Sequence, residues 1–548
     1  MAKSSVNMRA ALAPWGRRSV VYQVYPKSFR DSSGDGVGDL KGITEKLRHV
    51  ADLGADVCWL SPIFASPMAD NGYDVSDYTS VNPLFGTLDD VDALIAEGRR
   101  LNVRIVLDIA LNHTSVAHPW FQAALGDPSS PMRDYYWLRP GRAPNNWRSI
   151  FGGPAWGQFG ETDLSYLHLF DRSQPDLNWE NPAVRAEIHG AMRFWLERGI
   201  GGFRLDVVTV ISKDPALPDA ADTRLGPFYR MLADGPRLKD YLREMRREVF
   251  SQFDCIAIGE APGVDPARAA GLVDPRDPML DMIYHFDLVE PKRDADGDWD
   301  RVAFKAVFSA WDAGIGPDGW NTTVLGNHDL KRLVSRFGDD GALRVESAKM
   351  LAALSLTQRA TPFIYQGDEL GMTNCRFPSL EALDDVWAKT TYRLRLAEGA
   401  SEAEAFAAAL AQTRDDARTP FPWTDKSDGG FTEGGAPWLM INPNVAQVNA
   451  AAQVEDPTSV MAFVKALIAL RGSDPLWVEG RFEDLAPKDP DVFVYERRLD
   501  GRNGVVVLNL RGRPVRGPQV DGLGAVLSNY AGPFEAMLRP WEARIYTL

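Results

Sequence analysis

The segment GFRLDV (202–207) sets Arg204 and Asp206 two residues apart in an apolar run. On a strand both side chains point to one face. A guanidinium beside a carboxylate keeps it ionised, as a carboxylate nucleophile requires. The run CIAIGEAP (255–262) closes on Glu260. Partial desolvation at a strand end raises a carboxyl pKa toward the range of a general acid. Taken singly, the first is more readily a structural ion pair and the second an ordinary strand-end carboxylate. NHD (327–329) adds His328, a hydroxyl donor, and Asp329, an acceptor, and DIALNHT (108–114) adds Asp108 and His113 at a similar place. Two Asn-His pairs closing separate apolar runs are harder to dismiss as turns than one.

A further polar group is DSSGDGVGD (31–39). Asp31, Ser33, Asp35, the Val37 carbonyl and Asp39 follow the spacing of an EF-hand loop through its ninth position. The twelfth position is Gly42 and no entering helix precedes the loop, which argues against a true EF-hand. A small structural Ca²⁺ or Mg²⁺ loop is expected, with a metal-free Asp/Gly turn as the alternative.

These groups need a scaffold. Short strand-like runs recur at 19–26, 55–62, 104–113, 202–207, 255–262, 321–329 and 362–370. KGITEKLRHVADLG (41–54) and LDDVDALIAEGRRLN (88–102) carry apolar residues at helical spacing and stop near Gly or Asn. Strand–helix alternation over some 350 residues predicts a parallel α/β architecture. A (β/α)8 TIM barrel then puts functional polar groups at the C-terminal ends of strands, where His113, Asp206, Glu260 and Asp329 fall. A doubly wound sheet is the alternative, but no GxGxxG turn follows the first strand. Residues 114–178, rich in Pro, Gly, Trp and Asn, read as a small domain inserted after strand three. A second long insertion, about 370–440, follows the last barrel strand. The barrel would occupy 1–113 and 179–480. From 481 to 548 the alternation of VFVYERR, GVVVLNL and ARIYTL predicts an antiparallel β domain.

Composition narrows the function. The 548 residues carry a net charge of −15, which argues against a nucleic-acid partner. No run approaches the ~20 apolar residues that span a bilayer. No apolar leader is visible at the N-terminus, so a cytoplasmic location is expected. Cys58, Cys255 and Cys375 form no CxxC pair and imply neither a disulfide framework nor a zinc site.

The ordered motifs YQVYPKSF, DNGYDVSDY, DIALNHT, GFRLDV, IGEAPG and GNHD together resemble the α-amylase superfamily of glycoside hydrolases. Within it, LHLFDRSQPDLNWENP, TPFIYQGDELGMTN and RDDARTPFPW are most similar to oligo-1,6-glucosidases, α-glucosidases and sucrose-active members. The resemblance implies a retaining double displacement with Asp206 as nucleophile, Glu260 as acid/base and Asp329 as third carboxylate. It also implies a glucose pocket of Asp74, Tyr78, His113, Gln174, Arg204, His328 and Arg414, supported by Asp108. It assigns Asp31, Ser33, Asp35, Val37 and Asp39 to a metal loop, usually of calcium. The family often carries Asn where Ser33 stands and a later Glu where Ile43 stands.

Val207, after the nucleophile position, resembles the oligo-1,6-glucosidase pattern and favours isomaltose-type links or sucrose over maltose. Short oligosaccharides are the implied substrates. A transglucosylase or a sucrose isomerase would use the same covalent glucosyl-enzyme. The isomerase Arg/Asp-rich loop corresponds to FDLVEPKRDAD (286–296), which retains Arg293 and Asp294 but places Glu290, Pro291 and Lys292 where that loop differs. A non-enzymatic transporter heavy chain, the remote alternative, would anchor through a membrane helix, and some lack the carboxylates retained here.

Overall fold

The computed structural model describes residues 14–233, 235–289, 292–293, 298–518, 520 and 524–547. Eight parallel strands make the central sheet: β1 (Val21–Val24), β2 (Val57–Leu60), β3 (Arg104–Ala110), β4 (Gly202–Asp206), β5 (Ile256–Glu260), β6 (Met282–Tyr284), β7 (Thr322–Val324) and β8 (Thr361–Tyr365). Their order is β6-β5-β4-β3-β2-β1-β8-β7. The two ends meet through a parallel bridge between Ile283 and Asn321, and Thr322 Oγ1 donates to the Ile283 carbonyl at 2.9 Å. The sheet is therefore a closed TIM barrel. Its strands are buried almost throughout, which is why they read as continuous apolar runs.

Helices α1 (Leu40–Leu53) and α2 (Leu88–Leu101) cover the outer face of the first strands. α1 ends on Gly54 at φ 100°, and α2 on Asn102 at φ 58°, both left-handed caps. α3 (Pro182–Arg198), α4 (Leu238–Glu248), α5 (Arg301–Ile315) and α6 (Arg344–Leu356) follow later strands. Strand β6 escaped the sequence reading because it is only three residues long, MIY.

After β3 the chain leaves the barrel. Strands at 138–140, 156–158 and 164–167 form a small antiparallel sheet. The excursion is pinned at its end by bridges His113 to Asp176 and Tyr136 to Leu177. After β8, the long insertion holds a helical hairpin, α7 (Val386–Ala397) and α8 (Glu402–Gln412). The C-terminal sheet comprises β9 (Arg481–Asp484), β10 (Val492–Leu499), β11 (Arg502–Asn509), β12 (Gly524–Ser528) and β13 (Ala543–Thr547), ordered β9-β10-β11-β13-β12 and antiparallel. It is tied to the barrel by Lys305 of α5, whose ammonium donates to the carbonyls of Ala486, Asp489 and Val492 at 2.6, 2.6 and 2.9 Å.

Candidate active site

Strand register builds the site in two layers. Asp108 on β3 lies opposite Arg204 on β4, and Ile258 on β5 lies on Arg204's other side. Two residues further on, Asp206 and Glu260 end their strands at the same level. Arg204, fully buried, donates Nη1 to Asp108 Oδ1 at 2.9 Å and to Asp206, and Nη2 to Glu260. One positive charge faces three carboxyls, so a proton must be retained among them. Burial raises the Glu260 pKa well above its ordinary value against Arg204's pull, and Asp206's charge adds to the rise. Burial likewise pushes Asp108 up to about 7, opposed by Arg204. Burial thus favours the protonated form of Glu260.

Behind this layer a relay fixes the histidine of NHD. Gln23 Nε2 lies 2.7 Å from His328 Nδ1, and His328 Nε2 lies 2.7 Å from the Tyr73 hydroxyl. Tyr73 donates to Asp108 Oδ2 at 2.8 Å and stacks on His328 at 5.3 Å between centroids. With Tyr73 spending its proton on Asp108, His328 Nε2 is the donor. Burial lowers His328 to about 3, so the ring is neutral across the working pH range. Asp329 is also buried, which raises its pKa, but His328, Arg414 and Arg418 outweigh that and hold it well below the usual carboxylate range. Arg418 Nη2 donates to Asp329 Oδ1 at 2.9 Å.

The inner end of the cavity is a ring of polar contacts. Gln174 Nε2 sits 3.1 Å from both His113 Nε2 and Asp70 Oδ2. Arg414 Nη2 donates to Asp70 at 2.9 Å and to Asp385 at 2.6 Å, and its guanidinium lies 5.1 Å from the Phe151 ring. The cavity itself holds about 880 Å³. Asp70, Tyr73, His113, Gln174, Asp206, Val207, Glu260, Asp329 and Arg414 line it, with Phe151, Phe170 and Trp387 as an aromatic wall.

Four expected pocket residues lie behind the cavity surface: Arg204 and His328, fully buried and engaged as described, and Asp74 and Tyr78. Asp74 is fully buried and accepts from Ser66 Oγ and the Ala69 and Asp70 amides at 2.9 to 3.1 Å, so its oxygens brace the loop that presents Asp70. Tyr78 donates to the carbonyls of Ala110 and His113 at 2.8 and 2.9 Å and orients His113 from behind. Asp70 and Tyr73, in the same DNGYDVSDY motif, face the cavity instead. Arg418 and Asp385 were missed as well, although RDDAR held the first of them in view.

The Asp31–Asp39 loop is closed on itself. A carboxylate offers about four acceptor sites. Asp31 already takes donors from Ser33 (amide and hydroxyl), Gly34, Gly36 and the Thr432 hydroxyl. Asp39 takes the Ser32 amide and hydroxyl and the amides of Ser33 and Gly42, capping α1. Gly36, at φ 92°, is pressed against Ala436, whose carbonyl a Cβ would strike at 1.9 Å. Among the described residues no three His, Cys, Asp or Glu side chains gather to hold a metal ion. The residues as arranged do not fit the cation expected from the resemblance.

The model of the α-amylase catalytic domain matches residues 23–480. The chain belongs to the α-amylase family. An oligo-1,6-glucosidase of Parageobacillus thermoglucosidasius is 42% identical, over 97% of this chain and 99% of its own. A trehalose-6-phosphate hydrolase of Bacillus subtilis is 40% identical over 99% of both chains. The solved trehalulose synthase MutB from Pseudomonas mesoacidophila MX-45 superposes with a TM-score of 0.93 at 41% identity, covering 97% of this chain and 99% of that one. Among the described residues no helix of this family member is long and apolar enough to cross a membrane.

Proposed function

We propose that the protein is a retaining, exo-acting α-glucosidase that releases glucose from short α-glucosides. The observation that carries this reading is the convergence of Asp206 and Glu260 on one buried guanidinium at the base of a cavity whose inner end is walled by Asp70, Gln174, His113 and Arg414. A wall of donors and acceptors suits the hydroxyls of a terminal glucose and stops a longer chain from threading through.

In this reading Asp206 attacks the anomeric carbon while Glu260 gives its proton to the departing oxygen. The glucosyl–Asp206 bond is then broken by water, or by another sugar hydroxyl, with Glu260 taking the proton back. Two inversions retain the α configuration. Asp329 accepts from the glucose hydroxyls, drawing the ring toward the transition state, and His328, with both ring nitrogens taken by Gln23 and Tyr73, holds Tyr73 in place. Val207 lines the cavity beside the nucleophile and supports a preference for isomaltose-type links or sucrose. The buried, free cysteines suit the cytoplasmic location expected from the sequence.

A sucrose isomerase is the second reading, supported by the fold match to trehalulose synthase and by Arg293 among the residues lining the cavity. Glu290, Pro291 and Asp294 of the corresponding loop lie outside the described residues. Chromatography of products from sucrose, maltose, isomaltose and trehalose offered in parallel decides between them. Glucose release from isomaltose and sucrose is expected. An isomeric disaccharide as the main product from sucrose would favour the isomerase. Asp206→Asn is expected to lower kcat by on the order of 10⁴-fold or more, as loss of a nucleophile does elsewhere; near-normal turnover in that variant would sink the assignment.

A further inference from the structure

Val207 adopts φ 38° and ψ 39°, a left-handed conformation, immediately after Asp206. Among the described residues the other non-glycine residues at positive φ are Met68, Asn71, Asn102, Leu217, Asp500 and Trp541. None of those is β-branched, and a β-branched side chain is the least suited to this region. Such a conformation persists only where its surroundings over-determine it, and the sound inference runs from the anomaly to a role.

The surroundings are specific. The Val207 amide donates to Glu260 Oε2 at 2.7 Å. Two residues later Thr209 Oγ1 donates to the Pro262 carbonyl at 3.0 Å. The turn is closed by the Val210 amide on the Val207 carbonyl, also at 3.0 Å. The segment following the nucleophile therefore grips the segment carrying the acid/base at two points, and the kink at Val207 supplies one of them. The Val207 side chain is buried among the cluster that includes Trp137, Phe170 and Phe228, which holds the kink in place.

We propose that the main chain of Val207 is a positioning element for Glu260. Its left-handed turn aims an N–H at the carboxyl, so that the acid/base is fixed relative to the nucleophile one residue away. This inference rests on the α-glucosidase reading. It separates the two attributes of Val207: the side chain bears on the substrate, and the amide bears on the acid.

Replacing Val207 by the corresponding α-hydroxy acid through in vitro translation removes the N–H and keeps the side chain. Departure of a sugar from isomaltose needs a proton, whereas fluoride leaves from α-glucosyl fluoride without one. The ester-containing enzyme is expected to lose at least tenfold more in kcat/KM on isomaltose than on α-glucosyl fluoride. Equal losses on both, or none, would overturn the proposal. Val207→Gly and Val207→Ala supply a second measurement, since glycine accepts the left-handed turn freely. Val207→Gly should melt above Val207→Ala, and the reverse order would show that no strained turn is held. If the unsubstituted enzyme hydrolyses neither substrate, the α-glucosidase reading itself has failed, and the melting order still tests the turn.

Discussion

At the scale of single residues the site is a problem in sharing one positive charge. Arg204 serves Asp108, Asp206 and Glu260 together, and in the proposed mechanism the protonated one of the two at the cavity, Glu260, is the acid. In the proposed mechanism Glu260 acts while protonated, so activity is full below its raised pKa and declines as pH rises through it. The expected outcome is an alkaline limb in kcat/KM on isomaltose that is absent on α-glucosyl fluoride, measured between pH 5 and 9. Asp206 and Glu260 were legible because each closes an apolar run at a strand end. The Asp70-for-Asp74 difference was not, since both lie in one turn-rich loop with no periodicity. Only the Ser66 hydroxyl and two amides, brought in by folding, decide which of them is occupied.

At the scale of elements, Lys213 does what no motif announced. Fully buried, it pairs with Asp176 at the end of the inserted domain at 2.9 Å, and donates to Asn112 Oδ1 at 2.7 Å and the Val210 carbonyl at 3.0 Å. It thereby joins the ends of β3 and β4 to the inserted domain at the point where His113 and Gln174 meet. Lys213→Met leaves Asp176 buried and unpaired, a loss of about 3–5 kcal/mol, readable as a lowered thermal midpoint together with a raised KM. The Asp31–Asp39 loop makes the opposite case, an element whose residue types were legible and whose contacts were not. Its hydrogen bonds saturate the carboxylates, so neither millimolar Ca²⁺ nor a chelator should move the melting temperature by more than about a degree, whereas a site binding Ca²⁺ at 100 times its Kd would gain about 2.7 kcal/mol. A rise of several degrees with Ca²⁺ would restore the cation implied by the family. β6 shows the lower limit of pattern reading: three residues carry no period, and closure against β7 creates the strand.

At the scale of the molecule the barrel and the C-terminal sheet form one packed body. Phe308 of α5 meets Phe493 of β10 at 5.6 Å between ring centroids, and Arg497 of β10 donates across the junction to the carbonyls of Trp477 and Val478. A chain ending at residue 480 exposes this seam and orphans Lys305, so it should aggregate on expression, and soluble active material would count against the view that the sheet is integral. The alternation of strands and helices made the barrel readable from sequence, but this seam was not, because its polar contacts end on backbone carbonyls that carry no sequence signature. The walled inner end of the cavity has a temporal consequence. In the proposed pocket, where the polar wall meets the terminal glucose, whatever follows the glucose departs first, and the incoming water or sugar hydroxyl takes the place just vacated. Residence of the departing group in that passage, rather than any change in the carboxyls, then sets how the glucosyl group is divided between water and a second sugar.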